Sequence, residues 1–490
     1  MTRLNAWKMA GAVLMLCGAT VIATQAQSFR VLVEFNGTDG NSGQGALVQS
    51  RDGDFYGTTY YGGASGASGT VFKVGPVGKL TTLHSFCENG NCSDGRGPWT
   101  GLTLGTDGDL YGTTAFGGAH GNDNDGGTVF KITQGGTLTT IYSFCLQSNC
   151  TDGDFPAGTL VQLPGGDLYG TTAKGGNVSG SICNPYGCGT VFKISSSGTF
   201  SVVYTFCSQN NCADGGGPVA GVIQGTDGNL YGTTAGGGVG DCGLNGGCGT
   251  VFKLAPGGQL TTLHNFNGGT DGHTPQAGLV EGTDGNFYGT TSGGESNNGT
   301  IFMITPAGML TTLHYFDLSD GAEPHGSLIQ ATDGNFYGTT WVGGTYYKGT
   351  LFKMTPDGTL TTVYDFCPHK GCPDGEDPEG ALLQSTRGFF YGMAPGGIDG
   401  DGTIFGLKEG LGPFVAFVQS TGKVGQTGGI LGQGFTGTTS VSLNGVPANF
   451  AVVSDTFIEA TIPMGATTGY VTVTTPTGVL TSNVPFHVVP

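Results

Sequence analysis

The chain has 490 residues, of which 98 are Gly, 11% are charged and 10% aromatic, and 17 Lys+Arg against 35 Asp+Glu give a formal net charge of −18. Glycine at this level without a three-residue period excludes collagen, and an acidic balance of this size repels phosphate backbones and anionic lipid, which excludes nucleic acid as a partner. A hydrophobic fraction of 37% in short regular runs argues for a folded chain with many tight turns.

In chain order, the first segment reads as an export signal over residues 1–26. Arg3 and Lys8 precede the apolar run Met9 to Ala23, and Thr24-Gln25-Ala26 offers a small-residue cleavage site. Cleavage after Ala26 is expected to remove Cys17 with the leader. A lipoprotein signal needs a small residue before its cysteine, and Leu16 stands there instead. No later apolar run is long enough to span a bilayer, so a secreted or cell-surface location is expected, with no transmembrane segment after cleavage.

Next comes an isolated strand, Phe29 to Phe35, followed by Asn36-Gly37-Thr38-Asp39-Gly40. Seven repeats then follow, marked by Tyr56, Tyr111, Tyr169, Tyr231, Tyr288, Tyr337 and Tyr391, 49 to 62 residues apart. Self-similarity at that period marks a solenoid, propeller or array. The fourth repeat serves as a template. Ala220 to Gln224 is a short strand, Asp227-Gly228 a hairpin turn, and Leu230 to Thr234 a second strand. After a Gly-rich loop, Gly249 to Leu254 and Leu260 to Phe266 supply the third and fourth. Four antiparallel strands per repeat is one propeller blade.

The seventh repeat lacks its fourth strand: after Thr403-Ile404-Phe405 the chain runs into Gly410-Leu411-Gly412-Pro413. The spare strand at residues 29–35 fits that place. The expected fold is therefore all-β: a seven-bladed β-propeller over residues 27–410, closed by an N-terminal strand so that no sheet edge stays open. Residues 411–490 break the repeat. Alternation in Val441 to Asn444 and Tyr470 to Thr474, with Asn444-Gly445 as a hairpin turn, predicts a small Ig-like β-sandwich.

The recurring Tyr-Gly-Thr-Thr, Gly-Thr-aliphatic-Phe-Lys and Leu-Thr-Thr elements resemble the GloVer tandem repeats of exported bacterial proteins over residues 28–408. The segment Gly422-Lys423-Val424-Gly425 through Ile430 to Phe435 and Leu443 to Val446 resembles an IPT/TIG immunoglobulin-like domain. The resemblance implies an exported, extracellular or cell-surface protein and supplies no activity.

Twelve cysteines remain after Cys17 and fall into local pairs: Cys87 with Cys92, Cys145 with Cys150, Cys183 with Cys188, Cys207 with Cys212, Cys242 with Cys248 and Cys367 with Cys372. Export, even count and short spacing predict disulfides that stiffen loops; a zinc site would need two pairs to converge. Asp-Gly pairs form two sets. Asp52, Asp107, Asp227, Asp284 and Asp333 are expected to turn the first strand into the second. Asp39, Asp94, Asp152, Asp214, Asp271, Asp320 and Asp374 stand one per junction between repeats. They read as turn residues, with Ca²⁺ the only cation they suggest and no cofactor otherwise.

His84, His264 and His314 occupy the fourth-strand place held by Tyr142, Tyr204 and Tyr364 elsewhere and read as an aromatic outer face. No catalytic motif stands out. Ligand-binding candidates are the loop aromatics Tyr60, Tyr61, Trp99, Trp341, Tyr346 and Tyr347, on loops that join the cysteine pairs on one face. The expected function is a non-enzymatic, exported binding or adhesion protein, with an extracellular polysaccharide or a surface protein as partner. Alternatives are a polysaccharide hydrolase or lyase with carboxylates near the channel, and a protein–protein scaffold.

Overall fold

The computed structural model describes residues 28–489 apart from 65, 89, 121–124, 177–182, 184–185, 241, 243–245 and 295–296. The expected export signal lies outside the described residues. Among those described, the helical segments are two three-residue 3₁₀ turns, Ser148–Cys150 and Asn210–Cys212. Among the described residues no helix is long and apolar enough to cross a membrane. The rest is all-β, in four-stranded antiparallel sheets with a propeller-like order.

The first repeat pairs Val48–Gln49, Phe55–Thr59, Thr70–Val74 and Leu80–Ser85 in that order, and the second, fourth, fifth and sixth repeat the plan. The third adds a short strand, Asp154–Pro156, beside its Leu168–Lys174. In the seventh, Leu383–Gln384, Phe390–Ala394 and Thr403–Lys408 are joined on the outer side by Ser28–Glu34, with Val33 opposite Ile404.

Side-chain chemistry explains why the repeat words recur. The glycine of Tyr-Gly is there for space: a Cβ on Gly57 would stand 2.7 Å from Phe72 Cζ and 2.8 Å from Leu47 Cδ2. The flanking strand can therefore lay its Phe ring across the backbone, and those rings are fully buried. The two threonines satisfy buried polar groups. Thr59 Oγ1 and Thr70 Oγ1 lie 2.8 Å apart, a pair repeated as Thr114/Thr128, Thr234/Thr250 and Thr340/Thr350. The neighbouring threonine reaches the next repeat, as in Thr58 Oγ1 to Thr100 O at 2.7 Å and Thr233 Oγ1 to Ala277 O at 3.0 Å.

The first Asp-Gly set turns its hairpins as expected and does more. Asp52 accepts from Tyr56 Oη at 2.7 Å and from Lys73 Nζ at 2.7 Å, and Asp227 repeats this with Tyr231 and Lys253. Burial pulls the Asp227 carboxyl up, but Lys253 and three further donors outweigh it and hold the group at about 2. The seventh repeat has Arg387 and Gly406 in place of this Asp and Lys, the third keeps Lys193 but has Gly165 at the Asp position, and the fifth keeps Asp284 opposite Met303.

A second network stitches sheet to sheet. Backbone N–H groups of Thr106, Thr283 and Thr332 donate to Gln162, Gln330 and Gln384 of the following repeat, and Thr226 to Glu281. The same bond joins Thr386 of the seventh repeat to Gln49 of the first at 2.9 Å. The third repeat offers Pro164 at the donor position, which has no N–H to give.

Residues beyond 411 form a two-stranded parallel pair, Thr421–Lys423 with His487–Val489, and two four-stranded sheets around one apolar cluster. Ile430 and Ile458 face Val441, Leu443, Val471 and Val473 there. This unit lies against the hairpin turns of the repeats. Thr456 Oγ1 donates to Arg51 O at 2.6 Å, Arg51 covers the Phe457 ring at 4.6 Å, and Gln433 bridges Thr386 and Arg387.

Candidate functional site

At the opposite end of the strands, the junction loops run beside the exits of the second strands. Isolated bridges tie Asn41 to Tyr61, Arg96 to Phe116, Gly216 to Gly236, His273 to Gly293 and Ala322 to Val342. The cysteines pair as their spacing predicts. Disulfides join Cys87 to Cys92, Cys145 to Cys150, Cys183 to Cys188, Cys207 to Cys212 and Cys367 to Cys372, each with a separation of 5. The sixth joins Cys242 to Cys248, with a separation of 6. Four lie in junction loops, while Cys183–Cys188 and Cys242–Cys248 lie in loops between second and third strands, and none is part of a strand. In the first of them, both Cys87 and Cys92 take left-handed backbone, at φ 65° and 43°, so the bridge closes a tight turn around Asp94. Loops this short are each worth about 2 kcal/mol in the chain-entropy model. Full reduction is expected to lower the melting temperature while leaving the far-ultraviolet β-sheet signal intact. Collapse of that signal on reduction would show that the disulfides hold the sheets themselves.

The junction aspartates are committed within their own turns. Asp152 accepts from Tyr142 Oη at 2.8 Å and from the backbone of Leu146 and Gln147; Asp214 does the same for Tyr204, Ser208 and Gln209. His84, His264 and His314 fill the tyrosine's role with Asp94, Asp271 and Asp320 at 2.9, 2.9 and 2.7 Å. The alternation of His and Tyr on the fourth strand is thus a choice between two donors for one carboxylate. In the closing strand Val33 takes that place, and Asp39 accepts from Asn36 N instead. Metal-type donors cluster at Cys188, Cys207 and Cys212 and at Cys367, Cys372 and Glu376, but all these cysteines are disulfide-bonded and none is a thiolate.

The junction then makes one strained step in every repeat. Ser42, Gly97, Phe155, Gly217, Thr274, Glu323 and Asp377 all have φ between +52° and +64°. Five of the seven are not glycine, and left-handed non-glycine residues cluster where a fold is holding a functional surface. Six of them precede a proline, and the residue after that proline, or after Gly43 in the first repeat, lines one cavity shared by all the repeats. These residues are Gln44, Trp99, Ala157, Val219, Gln276, His325 and Glu379, and the cavity measures about 350 Å³.

Trp99 is therefore on the cavity wall, as well as exposed. Tyr60 meets it edge-on at 5.1 Å and Tyr61 meets Tyr60 at 4.4 Å. On its other side Phe155 lies at 6.2 Å and then Phe116 at 5.1 Å, with Lys174 spanning Phe155 and Tyr186. Elsewhere on the wall, Trp341 stacks on His325 at 5.2 Å. Tyr346 and Tyr347 follow Trp341 on the same loop and stand exposed. Of the six sequence candidates, Trp99, Tyr60 and Tyr61 form one cluster and Trp341 reaches the cavity through His325.

Sequence reasoning left the two titratable wall residues, His325 and Glu379, unassigned. Burial drives the His325 imidazole down to about 4, so it is neutral near pH 7. Burial, and next the charge of Asp377, push Glu379 up to about 7. The signal was present: the residue after the junction proline changes in kind from repeat to repeat inside an otherwise constant frame.

Fold and loops together define a propeller-like repeat protein whose repeats share one cavity. Residues 17–243 and 181–405 match the model of the Gloeobacter/Verrucomicrobia repeat, and the chain belongs to that family. No curated protein matches. Among solved structures, a 6-phosphogluconolactonase candidate from Bacteroides uniformis is 16% identical, with a TM-score of 0.42 over 66% of this chain and 84% of its own. An auxiliary nutrient binding protein from Bacteroides thetaiotaomicron is 14% identical, with a TM-score of 0.40 over 75% and 69%.

Proposed function

We propose that the chain is an exported binding protein. Its residues 27–410 are a seven-bladed propeller closed by the strand Ser28–Glu34, and residues 411–490 an IPT/TIG-like sandwich that serves as spacer or attachment module. The disulfide-bearing face holds an extracellular polysaccharide. One observation carries this reading: the run of rings from Tyr61 through Tyr60 to Trp99 leads from the rim to the axial cavity. Aromatic faces bury the C–H face of a sugar while neighbouring amides and hydroxyls pair with its hydroxyls.

The test is retention of purified protein on a panel of insoluble and soluble polysaccharides, with reducing-sugar release followed in parallel. Trp99→Ala is expected to weaken retention about tenfold, the loss of about 1.4 kcal/mol of ring contact. Parental retention by Trp99→Ala would remove the aromatic run from the site. A second reading, a polysaccharide hydrolase or lyase, draws on Glu379, a cavity carboxyl that burial holds near the operating pH of a general acid. Release of product in the same assay would favour it.

A further inference from the structure

The axial cavity has features that binding at the rim alone does not require. Among the described residues only a few buried side-chain polar atoms lack a hydrogen-bond partner, and two of them, Gln44 Oε1 and His325 Nε2, belong to side chains that line this one cavity, each atom shielded from solvent by its neighbours. Glu323 Oε2 stands 3.9 Å from that His325 nitrogen, beyond hydrogen-bond reach. Leaving such atoms unpaired is costly, and folds keep them where something else completes them.

The wall is also divided. Trp99, Ala157 and Val219, from three consecutive repeats, make an apolar half. Gln276, His325, Glu379 and Gln44, from the next three repeats and back to the first, make a polar half. A seven-fold packing device would not sort its residues this way. The left-handed steps at Glu323 and Asp377 set the two titratable groups on the wall.

From this geometry we propose that the axial cavity is a subsite for one uncharged pyranose unit, with its C–H face on Trp99 and its hydroxyls on Gln44, Gln276, His325 and Glu379. The size fits, since pockets for small ligands begin near 300 Å³. The donor inventory fits as well. The Gln44 amide both donates and accepts and a neutral imidazole does one at each nitrogen, so these side chains pair with a ligand that also does both once their polar ends turn into the cavity. A hydroxyl does so; a carboxylate cannot. An anionic uronate would also meet Glu379 and Asp377, in a chain of net charge −18.

The proposal rests on the glycan-binding reading and adds where a single unit is gripped. The groups that face Glu379 are Asp377 on its own junction and, beyond it, Lys348, whose Nζ is 3.8 Å from Asp377 and 2.8 Å from Glu376. His325 faces Glu323 and the Trp341 ring.

The experiment is calorimetric titration of the whole protein with glucose, galactose, mannose, N-acetylglucosamine, glucosamine and glucuronate at pH 5.5 and 8.5. At least one neutral sugar should bind, and uronate should not. Gln44→Leu, which keeps the side-chain volume, should weaken that sugar tenfold or more. Glu379→Gln should bind it alike at both pH values, whereas the parent's affinity changes between them. Parental affinity in both variants, or preference for a charged sugar, overturns the subsite. Retention on polysaccharide with no effect of either variant would overturn it while leaving the rim reading intact. Absence of any saccharide binding would sink both.

Discussion

Phe35→Ala should destabilise the protein as much as Phe86→Ala does, by about 3–5 kcal/mol in each case. The two positions are equivalent in detail. The backbone N–H of Phe86 donates to Gly69 O at 3.0 Å and that of Phe35 to Gly402 O at 2.9 Å. Phe86 lies edge-on to Phe130 of the next repeat at 5.4 Å, and Phe35 to Phe72 at 5.3 Å. Phe35 is also packed in one cluster with Phe55 and Val74 of the first repeat and with Tyr391, Met393 and Ile404 of the seventh. It sits on the seam that the proposed closure makes. Were residues 28–35 a loose arm, Phe35→Ala would cost under about 1 kcal/mol while Phe86→Ala kept its full penalty. Midpoints of urea unfolding for the two variants decide between these. Removing Ser28–Glu34 altogether would further turn Thr403–Lys408 into an open edge, and concentration-dependent association should follow.

The all-β repeat was legible in the sequence because its words are made by packing. Gly57 is glycine since Phe72 crosses it, and the same demand returns at Gly112, Gly232 and Gly392. Cysteine pairing was legible too, since a spacing of five or six residues on a loop, as from Cys87 to Cys92, allows few other partners. What escaped was the relation between words. That His84 and Tyr142 are alternative donors to a junction aspartate is invisible in a strand read alone, because the carboxylate arrives ten residues later from the turn. The glutamine that ends several first strands, as Gln162 and Gln384 do, carries no motif of its own, yet its partner is the backbone of the preceding repeat some fifty residues away. The aromatic candidates were chosen by residue type. His325 and Glu379 were passed over, since a single titratable residue carries no motif until the ring brings its neighbours round.

Those two residues should give the protein a pH signature that appears only when one of them is removed. His325 is held at about 4 against an ordinary value of 6.5, and Glu379 at about 7 against 4.5. Between pH 4 and 6.5 the unfolded chain takes up a proton on His325 that the folded one refuses, so this group makes stability rise with pH. Between 4.5 and 7 the folded chain keeps a proton on Glu379 that the unfolded one has released, so this group makes stability fall with pH. Each gap, at about 1.4 kcal/mol per pH unit, has an upper bound of about 3 kcal/mol, and the two slopes oppose each other over about pH 4.5–6.5. The parent's contribution from the cavity should therefore be nearly flat there. Glu379→Gln should leave the histidine slope, with the melting temperature relative to parent rising from about pH 4.5 to 7. His325→Asn should leave the glutamate slope, with the melting temperature relative to parent falling from about pH 4 to 6.5. Thermal melts of the three proteins at half-unit intervals read this directly. Parallel profiles for all three would mean that neither group is desolvated, and the cavity would then be open to water rather than built to exchange it for a ligand.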